Sequence, residues 1–295
     1  KVIDITDYST NEFVKSTTKH TIYNLIPNKI YKCDLKDENG LVLETRFIKP
    51  TGNLRMIYQN VIANVRDLGG WQADGGTIKY NKLIRGGELS TIDSNGYHLS
   101  RRDGYSEADT YEDLDVLKNE LGVNLQLDLR MEKYFHKIND EYVSDIEGVA
   151  IAPISISEGG YLPAVQQEYY YPNQILLDGK IGYGKTIEAL RSVINNIIAD
   201  GTTYFHCQAG ADRTGTYGFM LNGLLGVQYN DLTKDYQLTS YSNGGGRRWR
   251  NKGNGDRFYY ITEIDESIGA LKPGWQFDSY NTWDLLVRRM LSRYG

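Results

Sequence analysis

The chain has 295 residues, 40% of them hydrophobic and 24% charged, with a formal net charge of −5 at pH 7. That balance supports one large domain or two smaller ones with an ordinary core, and it excludes a general nucleic-acid binder, which would carry a basic footprint. Two cysteines, Cys33 and Cys207, and four histidines exclude a disulfide framework and give no zinc-ligand spacing, and no apolar run approaches the ~20 residues that cross a bilayer.

Residues 1 to about 50 alternate as strands do. Within "HTIYNLIPNKIYKCDLKDENGLVLETRFIKP" two strand-like runs, 30–35 and 41–48, flank the turn "DENG" (37–40), which predicts a β-hairpin. The stretch from Leu25 to Tyr31 resembles the Leu-Pro-x-x-x-Tyr corner of fibronectin type III and related sandwiches, in which a Tyr hydroxyl ties back to nearby backbone. Residues 1–52 are therefore expected to form a small all-β, immunoglobulin/fibronectin-III-like domain, a reduced sandwich, with Cys33 as an inert core residue.

Pro50-Thr-Gly-Asn53 is the predicted boundary, and residues 53–295 the second domain. Strand-like segments at 83–85, 123–129, 149–152 and 203–206 alternate there with helical ones at 111–121, 185–200, 214–225 and 281–293, which predicts an α/β fold with a central sheet flanked by helices. "KTIEALRSVINNIIADG" (185–201) has apolar residues at helical spacing and Gly201 just past its end. "TTYFH" (202–206) follows as a short buried strand, and "NGGGRRWRNKGNGDR" (243–257) is a Gly-rich basic loop, most simply a solvated one.

Between that strand and the next helix runs "HCQAGADRTG" (206–215). An α/β sheet places its ligands there, at the C-terminal end of a strand. Small residues Ala209, Gly210 and Ala211 let the backbone curl with N–H groups pointing inward, a nest for anions. The following helix adds free N–H groups and the positive end of its dipole. That field favours an anionic sulfur at Cys207, and thiolates are nucleophiles. Arg213 can grip two oxygens of a tetrahedral anion at once, and the Thr214 hydroxyl can donate to the sulfur when it leaves. Singly, a Cys at a strand end is a buried hydrophobe, an Arg a surface charge and a Gly-rich turn a matter of packing. Spaced as Cys-x5-Arg-Thr-Gly after His206, they suit one task, the holding and attack of a phosphate.

At these residues the chain resembles the cysteine-dependent protein-tyrosine phosphatase superfamily, with its His-Cys-x5-Arg signature, and within it the bacterial tyrosine phosphatase family with an "HCxAGKDRTG" loop. "NVRDLGGWQADGGTIKYNKLIRGGELS" (64–90) is similar to that family's Asn-x-Arg-Asp-Leu-Gly-Gly opening, "NLQLDLR" (124–130) to its Asp-Leu-Arg strand, "LTKDYQLTS" (232–240) to its Asp-Tyr-x-x-Ser helix, and "YNTWDLLVRRML" (280–291) to its last helix. The resemblance implies a phosphatase-like domain, metal-independent and without a cofactor, that hydrolyses phosphomonoesters through a phosphocysteine on Cys207. Backbone N–H groups of Gln208, Ala209, Gly210, Ala211, Asp212 and Arg213 would hold the phosphate oxygens. A general acid must protonate the leaving oxygen. No "WPD" stretch occurs, so the candidates are Asp212, which matches an acid proposed in the family, and Asp128, which could equally serve as an arginine partner or backbone cap. His206 would tune the sulfur through hydrogen bonds, and Arg66, Asp67 and Arg130 would form ion pairs around the cradle.

Ala211 stands where the family has a Lys implicated in handling polyanionic lipid head groups, which argues against phosphoinositides and for a phosphorylated protein or small phosphoester, above all phosphotyrosine. The rival readings are an inositol phosphate or phosphoinositide phosphatase, for which Arg247, Arg248, Arg250 and Lys252 would have to supply the missing charge, and a catalytically silent binding module, against which intact Cys207, Arg213 and Thr214 argue. A rhodanese-like sulfurtransferase is disfavoured by the Arg-Thr-Gly ending. A start at Lys1 rather than Met reads as a processed or trimmed chain, and with the small β-domain it suggests an exported bacterial protein.

Overall fold

The computed structural model describes residues 1–89, 107–155, 183–208, 210 and 213–239, with two-residue strands at 249–250, 259–260, 264–265 and 270–271. The first four strands, β1 (Val2–Asp7), β2 (Phe13–Thr17), β3 (Tyr31–Lys36) and β4 (Val42–Ile48), pair antiparallel in the order β2-β1-β3-β4. Their period of two separates the faces. Ile3, Ile5, Tyr31, Cys33 and Ile48 gather into an apolar cluster with Ile22 and Leu25. The other face carries a polar ladder, in which Lys36 pairs with Asp4 at 2.5 Å and Lys32 with Asp34 at 2.6 Å.

The predicted hairpin is β3–β4, each strand within a residue of its expected start. The Asp37 carboxylate closes its turn by accepting the backbone N–H groups of Asn39 and Leu41, both at 2.9 Å. The Tyr31 hydroxyl accepts the Ile26 N–H at 2.9 Å, a bond of the type the Leu25–Tyr31 stretch predicts. Residues 1–52 form one sheet, and the loop bearing Ile22 and Leu25 packs where a sandwich would set its second. Cys33 is buried, and burial pushes its thiol up.

The second sheet has six strands. β5 (Arg55–Met56), β6 (Arg66–Asp67), β9 (Leu83–Gly86), β10 (Val123–Asp128), β13 (Ala150–Pro153) and β14 (Thr202–His206) take the order β13-β10-β14-β9-β6-β5; two small hairpins, β7–β8 (Gln72–Ala73 with Gly76–Thr77) and β11–β12 (Lys137–Ile138 with Glu141–Tyr142), stand apart from it. The four strands from β13 to β9 are parallel, while β6 and β5 run antiparallel at the edge. The expected strands at 83–85, 123–129, 149–152 and 203–206 are these four parallel ones. Two-residue strands such as β5 and β6 are too short to show a period in sequence.

Helices cover both faces. On one, α2 (Tyr183–Ile198) and α3 (Arg213–Leu224) lay Ala189, Val193, Tyr217 and Leu221 on Leu83, Leu127 and Phe205. On the other, α1 (Glu107–Asp115) runs into a π-helical turn, Val116–Glu120, and Leu117 and Leu121 pack on Ile84, Val123 and Tyr204. All five residues of β14 are buried, and its polar members find partners: Thr202 donates to the Asn81 carbonyl at 2.5 Å and Thr203 accepts from Asn196 at 3.0 Å. The helix expected at 111–121 is α1 with its π turn. Helix α2 ends with Asp200 in the left-handed region (φ 62°). A Cβ at Gly201 would lie 2.4 Å from the Asn196 side-chain oxygen and 2.7 Å from that of Asn124, so those amides would have to turn aside. The helix expected at 281–293 lies outside the described residues. No helix among the described residues is long and apolar enough to cross a membrane.

Candidate active site

Parallel pairing sets Pro153, Asp128, His206 and Gly86 side by side at the C-terminal ends of four strands. The chain leaves β14 at Cys207 and re-enters regular structure at Arg213, the first residue of α3. Between them, Cys207, Gln208 and Gly210 are described, while Ala209, Ala211 and Asp212 lie outside the described residues. Cys207 is 2% exposed and sits in the apolar cluster with Leu129, Phe205 and Tyr217. Both cysteines are free.

The loop is held from behind. The Gln208 carbonyl accepts the Glu88 N–H at 3.0 Å. The Gly210 carbonyl accepts from Arg85 Nη2 at 2.9 Å and from Asn64 Nδ2 at 2.8 Å. Gly210 itself is at φ 65°, and a Cβ there would lie 2.4 Å from the Gly86 carbonyl, so both conformation and space require glycine. Tyr204 fixes the other wall by donating its hydroxyl to the Gly87 carbonyl at 2.6 Å.

Behind these contacts lies a buried charge cluster. Arg85, fully buried, donates to Asp235 at 2.6 Å; Arg66, 1% exposed, reaches the same carboxylate at 2.9 Å. Asp235 belongs to helix α4 (Tyr229–Leu238). Burial alone would raise its carboxyl, but the two guanidiniums outweigh that and hold it below its ordinary value. Arg66 also donates to the Asn64 side-chain oxygen, orienting the amide that holds Gly210.

Neighbouring strand residues point to opposite faces, so Asp67 turns away from Arg66. It accepts from Arg55 at 3.0 Å and from the Asn81 and Gly69 N–H groups, both at 2.8 Å. Asp67 is thus not brought to the loop. Asp128 is. Its carboxylate takes Arg130 in a bidentate grip, with Nε at 3.0 Å from both oxygens and Nη2 at 2.6 Å, and it also caps the Arg130 N–H at 2.9 Å. Arg130 further lies 3.6 Å from Glu88 and 3.7 Å from Asp145. Arg213, 8% exposed, donates to the Leu129 carbonyl at 3.3 Å. Thr214 is fully buried, and its hydroxyl makes no hydrogen bond among the described residues.

His206 is fully buried, and desolvation lowers its pKa. Its Nδ1 lies 3.2 Å from the Cys207 carbonyl and its Nε2 2.9 Å from the side-chain nitrogen of Gln126. Asn64, Arg85, Gln126 and Asp235 fall in stretches that carry the family resemblance, but none of them is given a role there. Arg85 and Gln126 did leave a signal, since each is a polar residue inside an apolar strand, and such residues must find partners in the core.

No curated protein matches the chain. A family match does exist, over residues 58–102 and 97–270, a span that takes in the Asn64–Asp67 opening, the Asp128–Arg130 strand end, the Cys207–Arg213 loop and Asp235 on its helix, and by it the chain belongs to the tyrosine phosphatase family.

Proposed function

We propose that this chain hydrolyses phosphomonoesters through a phosphocysteine on Cys207, with phosphotyrosine in proteins as its preferred substrate. The observation that carries the reading is the pinning of the Gln208 and Gly210 carbonyls by Arg85 on β9, Glu88 just past it and Asn64 ahead of β6. A planar trans peptide points its N–H opposite its C=O. Loop carbonyls held toward the scaffold support that reading, because an anion beside Cys207 would need N–H groups and not carbonyl oxygens facing it.

In the reaction, the Cys207 sulfur attacks phosphorus as the bond to the leaving oxygen breaks, and that oxygen takes up a proton from an acid. Arg213 and the loop N–H groups hold the other three oxygens. Water then attacks the phosphocysteine, the P–S bond breaks, and the sulfur departs as a thiolate. The buried Thr214 hydroxyl, without a partner among the described residues, is suited to donate to it. The nest and Arg213 supply the positive charge, so no metal or cofactor is called for. Asp212 is assigned the acid role, because both oxygens of Asp128 are occupied by Arg130. Arg66 and Arg130 act as supports.

Ala211 in place of the family Lys disfavours polyanionic lipid substrates. We assign residues 1–52 to a separate immunoglobulin/fibronectin-III-like module on the strength of its four antiparallel strands and the Tyr31–Ile26 bond, and residues 53–295 to the catalytic domain. Such a module ahead of a phosphatase domain suits an exported bacterial protein.

The test is hydrolysis of p-nitrophenyl phosphate with EDTA present. The native chain should turn over and Cys207→Ser should lose roughly 10³-fold or more in kcat. Phosphotyrosine peptide, phosphoserine peptide, phytate and a phosphoinositide then rank the substrates. Equal rates for native and Cys207→Ser would refute the mechanism, and faster turnover of phytate than of phosphotyrosine would move the substrate to the inositol phosphates.

A further inference from the structure

We propose that Gln126 is a positioning residue, one that fixes the His206 imidazole as its Nδ1–H tautomer and through it holds the Cys207 carbonyl at the head of the loop. The inference follows from counting donors. The Gln126 side-chain oxygen faces the Asp145 backbone N–H at 2.9 Å, a group that can only donate, and also accepts the Ser144 hydroxyl at 2.6 Å. Its nitrogen donates to Asp145 Oδ2 at 2.9 Å. The amide orientation is thereby set, and the second N–H of that nitrogen points at His206 Nε2, 2.9 Å away.

A donor facing Nε2 requires Nε2 to accept. The proton of the neutral ring must then sit on Nδ1, where the Cys207 carbonyl waits at 3.2 Å. The competing partner for a proton on Nε2 is Asp128, but its nearer oxygen is 3.9 Å away and bound to Arg130. Burial keeps the ring neutral, opposed by the charges of Asp128 and Asp145 and assisted by Arg130. Tyr204 stacks on the imidazole at 5.4 Å between centroids and limits its tilt. Gln126 is fully buried on β10, and His206 is the last residue of the neighbouring β14, so the two meet through sheet pairing rather than through the loop.

The consequence for turnover rests on the phosphocysteine reading; the tautomer does not, so the two fail separately. The first measurement is ¹⁵N NMR of the unmutated chain labelled at histidine, with signals assigned by replacing His20, His98 and His136 with Asn in turn. His206 should show a protonated Nδ1 and an unprotonated Nε2. A protonated Nε2 in the native chain overturns the proposal without any variant having to fold. Gln126→Glu should move a proton onto Nε2, because a carboxylate there accepts. Gln126→Met, matched in length, should give mixed tautomers, and kcat/KM should fall roughly three- to tenfold, the worth of one buried hydrogen bond. A Gln126→Met protein that keeps the single Nδ1–H form and native kcat/KM also overturns it. An inactive native chain would sink the phosphatase reading and leave the tautomer result standing.

Discussion

The Asp235→Asn substitution tests the charge cluster behind the loop. Asp235 takes 2.6 and 2.9 Å contacts from two arginines that are themselves at most 1% exposed. Replacing the carboxylate with an amide leaves two guanidiniums buried without that charge and turns an –NH₂ toward donors. Removing one partner of a buried ion pair costs about 3–5 kcal/mol, a large share of the 5–15 kcal/mol by which domains are stable. Urea unfolding at pH 7, followed by tryptophan fluorescence, should show a loss of about 4 kcal/mol. The pH dependence gives a second reading. The folded carboxyl titrates below its unfolded value near 3.8, so the stabilisation is fully present above that pH and is lost as pH falls through the folded value. The gap between native and variant should therefore hold constant from pH 7 to about 5 and close in stronger acid. A loss under about 1 kcal/mol at pH 7, or a gap that stays open in acid, refutes the assignment.

Three further substitutions separate scaffold from chemistry. Gly210→Ala puts a Cβ 2.4 Å from the Gly86 carbonyl at a positive φ, so the loop must shift; with a misplacement near 1 Å, kcat/KM should fall about 10²-fold, and activity within threefold of native would show that the loop does not need this geometry. Asp128→Asn weakens the Arg130 grip and should reduce stability by about 2–4 kcal/mol while slowing good and poor leaving groups alike; Asp212→Asn should slow phenyl phosphate far more than p-nitrophenyl phosphate, and the reverse pattern would give the acid role to Asp128.

The parallel sheet was legible because its strands are short apolar runs and its helices carry apolar faces at regular spacing. β14 and α2 fell within two residues of expectation for that reason. The candidate loop could be named from the sequence because Cys207, Arg213 and Thr214 fall within eight residues and their chemistry is carried by residue type; its role as a phosphate cradle is the proposal made above. What the sequence withheld is long-range. Arg85 and Asp235 are 150 residues apart, and Asn64 and Gly210 are 146 apart. No local pattern pairs them, although Asn64, Arg85 and Asp235 each fall in a stretch that carries the family resemblance. Arg66 and Asp67 show the opposite error that sequence invites: adjacent in the chain and alike in apparent role, they are sent by strand alternation to different partners, only one of them behind the loop.

A loop that converges N–H groups on an anion has to dispose of its carbonyls, because oxygens turned inward would repel the ligand. Here the two described carbonyls are taken up by a backbone N–H, a buried guanidinium and an amide. Arg85 gives two donors, one to Gly210 and one to Asp235, and Asn64 gives another to Gly210 while its oxygen is held by Arg66. Each buried arginine needs a counter-charge, and one carboxylate on α4 serves both. The Gly210 carbonyl is thus tied, through Arg85 and Asn64, to a helix outside the loop. On the function proposed above, the signature around Cys207 depends on the polar residues of β6, β9 and α4 that back it.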